Sequence, residues 1–200
     1  TSNQSTSAGT VQSEVYTYDG TPKSLVADQP TGCAEVVQTF TGINDTVYGP
    51  TTTPPTDPGT YKVAVSYMME SGHDQIQPQY ANLTINKAPQ GAPLAPVVTD
   101  VTDSSITIEV VEGVAYSIDG GKTWQTAGAF TGLNRDTVYS IIPKAIETAY
   151  YKEQVGPATE QRTEKTVVQF PVIEDQTYEF DGNAKTFVLP KSITGISSMT

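Results

Sequence analysis

Cysteine and histidine occur once each in the 200 residues, as Cys33 and His73. One thiol closes no intrachain disulfide, and a lone thiol with a lone imidazole cannot complete a zinc site. Basic residues are scarce: 11 Lys and Arg stand against 22 Asp and Glu, a formal charge of −11. The acidity is spread along the chain and no basic stripe exists. That removes the electrostatic term which dominates nucleic-acid affinity, so no nucleic-acid partner is expected. An anionic membrane surface would repel the chain too. No apolar run approaches the roughly 20 residues that cross a bilayer as a helix, and no membrane insertion of this segment is expected. Continuous helical periodicity is missing as well.

What the chain has in quantity is Thr, with frequent Val, Ile and Tyr, residue types that suit a half-buried pleated surface. Its 14 Pro and 16 Gly punctuate many turns. These features predict an all-β fold of small sandwich modules.

An internal repeat organises the reading. Tyr16-Thr-Tyr-Asp-Gly-Thr-Pro-Lys-Ser-Leu-Val26 aligns without gaps on Tyr178-Glu-Phe-Asp-Gly-Asn-Ala-Lys-Thr-Phe-Val188, an offset of 162 residues with five identities. A Thr-Gly follows in each copy, at Thr31-Gly32 and Thr194-Gly195. The spacing leaves room for two modules, so the chain reads as type one, type two, then the start of type one again.

Residues 1–10 read as a flexible leader and 11–88 as module one. In module one, Tyr16 and Tyr18 alternate with Thr17 before Asp19-Gly20, a strong short-range hairpin signal. Ala34 to Phe40 has strand composition. Tyr61, Val63, Val65 and Tyr67 fall on one face against Lys62, Ala64 and Ser66, and Ala81, Leu83 and Ile85 repeat the pattern. The Pro- and Thr-rich stretch 51–59 is expected to be loop. Lys87 to Pro96 carries three prolines and reads as a short, semi-stiff connector.

Module two covers 89–165. Ile106, Ile108 and Val110 alternate with Thr107, Glu109 and Val111, Val114, Tyr116 and Ile118 repeat the pattern, and Thr137 to Ile142 forms a further strand. A seven-stranded sandwich fits the turn spacing. Residues 166–200 form an incomplete third module, expected to pack on module two, pair with a neighbouring chain or be poorly ordered. The chain reads as an excerpt of something longer.

Several motifs of module one resemble the MBG-type or YDG-type bacterial Ig-like repeat: Tyr18-Asp-Gly-Thr-Pro-Lys-Ser-Leu25, Phe40-Thr-Gly, Thr46-Val-Tyr-Gly49, Pro54-Pro-Thr-Asp-Pro-Gly-Thr-Tyr-Lys-Val63 and Leu83-Thr-Ile-Asn-Lys-Ala88. Module two is similar to a fibronectin type III domain, with Leu133-Asn-Arg-Asp-Thr-Val-Tyr139 resembling its tyrosine corner. It departs from that family in lacking the early-strand Trp; Trp124 lies beyond an Asp-Gly-Gly turn instead. The resemblance implies tandem Ig-like and fibronectin III-like sandwiches in an elongated arrangement. It implies a non-catalytic adhesin or spacer of a bacterial cell surface, extracellular, with no catalytic residue to carry over. Its partners would be neighbouring modules of the same chain, and a host or cell-wall glycan or protein.

The candidate constellations favour structure over chemistry. Ser117-Ile-Asp-Gly-Gly-Lys-Thr-Trp124 resembles the Asp-box of sialidases, a folding device even there, and two arginines do not make a sialidase clamp. His73, in the polar stretch Ser71-Gly-His-Asp74, is expected to be exposed, and no nucleophile-elbow motif supports a Ser-His-Asp triad. Asp100, Asp103, Glu164 and Glu174 flank the expected boundaries without a calcium-loop pattern. Tyr150-Tyr151 and Trp124 would suit a sugar platform but read as packing. Lys23 or Lys62 would crosslink to an Asn only in a buried trio with an acid. No catalytic, cofactor-binding or metal residue and no cofactor is assigned, and ligand-binding residues stay open. The alternatives are a glycan- or protein-binding module, whose site would lie on loops, and an accessory segment of a large secreted glycoside hydrolase.

Overall fold

The computed structural model describes residues 6–166 and 175–186. Among these the protein is all-β, with eleven strands and no helix. It divides into two compact units: Thr1–Pro93 with Lys144–Val155, and Leu94–Pro143 with Gly156–Thr200.

The first unit holds β1 (Glu14–Thr17), β2 (Cys33–Ile43), β3 (Gly59–Met69) and β4 (Gln79–Asn86). They form one sheet in the order β1-β4-β3-β2. The period-two pattern decides which face is buried. Tyr61, Val63, Val65 and Tyr67 of β3 are all buried, as are Ala81, Leu83 and Ile85 of β4 and Phe40 of β2. The register sets Phe40 opposite Val63, and Tyr61 opposite Leu83, so these side chains meet on one face. Each large apolar side chain so buried contributes about 1.5–3 kcal/mol. Tyr48 meets Tyr61 edge-on, with ring centroids 5.4 Å apart.

The layer over that face is not a second sheet. Residues around Leu25 form no strand and are held by side chains that act in place of one. The Gln38 amide accepts from Leu25 N–H at 3.0 Å and donates to Leu25 C=O at 2.7 Å. The Glu14 carboxylate accepts from Val26 N–H at 2.8 Å. Leu25 itself is buried against the sheet.

Two sequence expectations change here. Asp19-Gly20 does turn the chain, but no hairpin follows, because β1 pairs in parallel with β4 instead: Glu14 lies opposite Leu83 and Thr17 opposite Asn86. The stretch after Lys87 is also tied down rather than free. Ala88 N–H donates to Tyr150 C=O, and Lys152 N–H to Ala88 C=O, both at 2.9 Å. Gln90 Nε2 donates to Ile146 C=O and Lys152 C=O. This explains why Lys144–Val155 belongs with the first unit. In the leader, Gly9 C=O accepts from Gln79 Nε2 at 2.8 Å.

Gly49 illustrates a close approach that only glycine allows. Its φ is +62°, and an added Cβ would fall 2.1 Å from Phe40 O. Gly49→Ala is expected to cost at least the ~1–2 kcal/mol of a left-handed L-residue, read as a lowered urea midpoint.

The second unit contains β5 (Val98–Val101), β6 (Ser105–Ile108), β7 (Val114–Ser117), β8 (Ala129–Thr131), β9 (Val138–Ala145) up to Pro143, and β11 (Thr159–Arg162); the last two residues of β9 fall in the first unit, where they pair with β10 (Gln154–Val155). One sheet has the order β5-β6-β8; in the other β9 pairs with β11 and β7. Ile106, Ile108, Val114, Tyr116, Phe130 and Ile141 form its core. The Tyr139 hydroxyl accepts from Asn134 N–H at 2.9 Å, the backward bond expected of that tyrosine. Thr163, also buried, donates to Asn134 C=O at 2.6 Å and accepts from Thr137 N–H at 3.0 Å.

Most of the expected third module, 167–174 and 187–200, lies outside the described residues, so its expected packing is not addressed. Residues 175–186 form no strand and are exposed.

Candidate functional site

The segment after β7 is built around two small polar side chains. Ser117 is buried at the end of β7. Its Oγ accepts from Gly121 N–H at 2.9 Å and donates to Asp119 Oδ1 at 2.8 Å. Asp119 in turn accepts from Lys122 N–H and Thr123 N–H at 3.0 Å, and from the Thr123 hydroxyl at 2.6 Å. Gly120 and Gly121 take φ of +76° and +85°, which lets these amides converge on one carboxylate. The Trp124 indole then donates to Gly121 C=O at 3.0 Å. Both oxygens of the carboxylate thus accept bonds from within the loop.

The Thr123 hydroxyl and amide, with Ser117 behind them, hold the Asp119 carboxyl well below the usual aspartate range. A value depressed in the folded state means that the stabilisation is present above the unfolded value of about 3.9 and is lost as pH falls through the folded one. In an acid titration followed by carbon-13 NMR, the Asp119 carboxyl is therefore expected to ionise below pH ~3.9, and Thr123→Val to bring it back up. Ser117→Ala leaves the Gly121 amide without its acceptor and is expected to cost about 1–3 kcal/mol, measured by urea unfolding.

A groove of about 340 Å³ lies beside this loop, lined by Tyr116, Thr123, Trp124, Gln125, Phe130 and Thr131 among others. Trp124 is half-buried there. Tyr150 and Tyr151 belong to the first unit and Trp124 to the second. The two tyrosines pack on Tyr18, Tyr150 stacked at 4.9 Å and Tyr151 edge-on at 6.0 Å. A second groove, of about 290 Å³, runs along Gly9 to Glu14 and Val26 to Asp28.

The remaining candidates are dispersed. His73 is half-buried, not exposed: it packs over Gly32, and its Nδ1 lies 3.5 Å from Thr6 Oγ1. Cys33 is buried and its thiol donates to Glu35 C=O. Lys23 pairs with Asp19 at 2.6 Å and bonds to the Thr21 hydroxyl, while Lys62 lies 5.0 Å over the Tyr80 ring. Asp103 accepts from the Thr166 hydroxyl at 3.3 Å, and Glu174 falls outside the described residues. Among the described residues no cluster of three or more His, Cys, Asp or Glu stands at metal-binding distance.

Geometry adds one feature that alignment alone does not give: the repeated turn is built twice in the same way. Asp19 Oδ1 accepts from Thr21 N–H, and Asp181 Oδ1 from Asn183 N–H, both at 2.9 Å. Lys23 reaches Asp19 at 2.6 Å and Lys185 reaches Asp181 at 2.5 Å. Tyr16 donates to Ser24 C=O, and Tyr178 to Thr186 C=O. Gly20 and Gly182 share φ values of +78° and +77°. In comparisons with known proteins, no family model matches this chain and no curated protein is significantly similar to it.

Proposed function

We propose that this chain is a non-catalytic structural or adhesive repeat segment of a bacterial cell-surface or secreted protein, acting as stalk or spacer. The observation that carries the reading is the turn built twice, 162 residues apart, with matching bonds at Asp19 and Asp181. A unit used in series has reason to restate its opening turn; a single-site protein has none. The two-sheet layout of the second unit and the Tyr139–Asn134 bond support the fibronectin III-like reading of module two. The duplicated turn supports the Ig-like repeat reading of modules one and three.

The mechanism is mechanical: separate cores resist extension and repetition sets reach. The groove at Trp124 favours the second reading, a glycan-binding module, since an indole face beside Thr and Gln side chains suits a sugar ring. One experiment separates the two. Cells displaying one, two or three tandem copies of residues 1–200 on their surface are probed with a terminal epitope and a panel of glycans. The stalk reading expects epitope height to rise with copy number and thermal stability to ignore every glycan. A saturable shift with one glycan, lost in Trp124→Ala, overturns it in favour of the binding module.

A further inference from the structure

The way the first unit begins and ends its sheet bears on how it carries load. β1 is the first strand and β4 the last, yet they are neighbours, and they run parallel. Tension drawn through the chain pulls β1 towards its N-terminus and β4 towards its C-terminus. In a parallel pair those directions are opposed, so the strands slide past each other and every bond between them is loaded together. An antiparallel pair held at one end is instead peeled open one bond at a time.

The pairing extends beyond the strands on both sides. Upstream, the Gln79 side chain brackets the incoming segment, accepting from Val11 N–H and donating to Gly9 C=O, both at 2.8 Å. The Ser13 hydroxyl accepts from Asn82 N–H at 3.0 Å. Downstream, Tyr18 N–H donates to Asn86 C=O at 2.8 Å. The chain leaving β4 is then strapped by the segment Lys144–Val155. Ala88 exchanges bonds with Tyr150 and Lys152, Lys87 pairs with Glu147 at 2.5 Å, and Tyr150 stacks on Tyr18. The strap therefore grips both partners of the clamp, β1 through Tyr18 and β4 through Ala88.

We propose that β1 and β4, bracketed by Gln79 and strapped by Tyr150–Lys152, form a shear clamp that makes the first unit a force-bearing element. This function rests on the stalk reading for its purpose, but as a property of the unit it is independent of it.

The test is single-molecule force spectroscopy on the full chain carrying Cys33→Ala, with handles at two pairs of sites. Ser7→Cys with Gly91→Cys pulls along the clamp. Glu35→Cys with Met68→Cys pulls the facing ends of antiparallel β2 and β3, where Glu35 lies opposite Met68. At equal loading rate the first geometry is expected to unfold at a several-fold higher force. Gln79→Ala and Tyr18→Ala are expected to lower that force and leave the second geometry nearly unchanged, which separates loss of the clamp from general destabilisation. Equal forces in the two geometries overturn the clamp, as does a variant that weakens both alike. Glycan binding in the surface-display assay overturns the stalk and leaves a high force ratio standing.

Discussion

Replacing Tyr61 with alanine lowers the stability of the first unit by about 3–5 kcal/mol, the range for removing a buried aromatic ring. Tyr61 is 1 % exposed and sits near the start of β3. Leu83 lies opposite it on β4 and Tyr48 meets it edge-on, so the ring has neighbours on several sides and the cavity cannot close by one local shift. Its hydroxyl also donates to Asp57 C=O at 2.7 Å, which fixes the Pro- and Thr-rich loop above the core. Tyr61→Phe keeps the ring and loses only that bond, for about 0.5–1.5 kcal/mol. Native-state hydrogen exchange at the Val63 and Val65 amides reads both variants. A Tyr61→Phe cost close to that of Tyr61→Ala would mean that the loop bond, not packing, holds the unit.

The second large effect is expected at Ile141→Ala, at about 2–5 kcal/mol. Ile141 is fully buried in β9, the strand that pairs with both β7 and β11. Truncating it opens a void between the two sheets, against Ile106 and Phe130 of the opposite one. Trp124 is the one tryptophan of the chain and stands beside Tyr116 and Phe130 at the edge of this core. Its fluorescence in urea therefore follows the second unit without a label. An unchanged midpoint would place the load of this unit outside the expected core.

β2, β3 and β4 of the first unit and β6, β7 and β9 of the second are legible in the sequence because alternation is a local signal; β5, β8, β10 and β11 are not. Tyr61-Lys-Val-Ala-Val-Ser-Tyr67 announces its buried face without reference to any partner, and so does Ala81 to Ile85. Partner choice is not local, and there the reading fails. Asp19-Gly20 carries a hairpin signal, but the turn is closed by its own side chains, Thr21 and Lys23 on the Asp19 carboxylate. The segment that follows bonds to the side chains of Gln38 and Glu14 instead of the β1 backbone. Nothing in the spacing of those two residues shows that an amide and a carboxylate stand in for a strand.

The same limit applies to the site. The Asp119 loop is legible because all of its bonds fall within eight residues. The packing of Tyr150 and Tyr151 on Tyr18 joins residues more than 130 apart, and no short-range pattern marks it. His73 reads as exposed because its neighbours are polar, yet Gly32 provides the open surface on which its ring lies.

The measurement that bears most directly on the account is the backbone NOE pattern of β1 in the intact chain. The structure predicts contacts in parallel register, Tyr16 with Ile85 and Glu14 with Leu83, together with a slowly exchanging Tyr18 amide. Contacts from Tyr16 to the residues after Gly20, in antiparallel register with a rapidly exchanging Tyr18 amide, would contradict it.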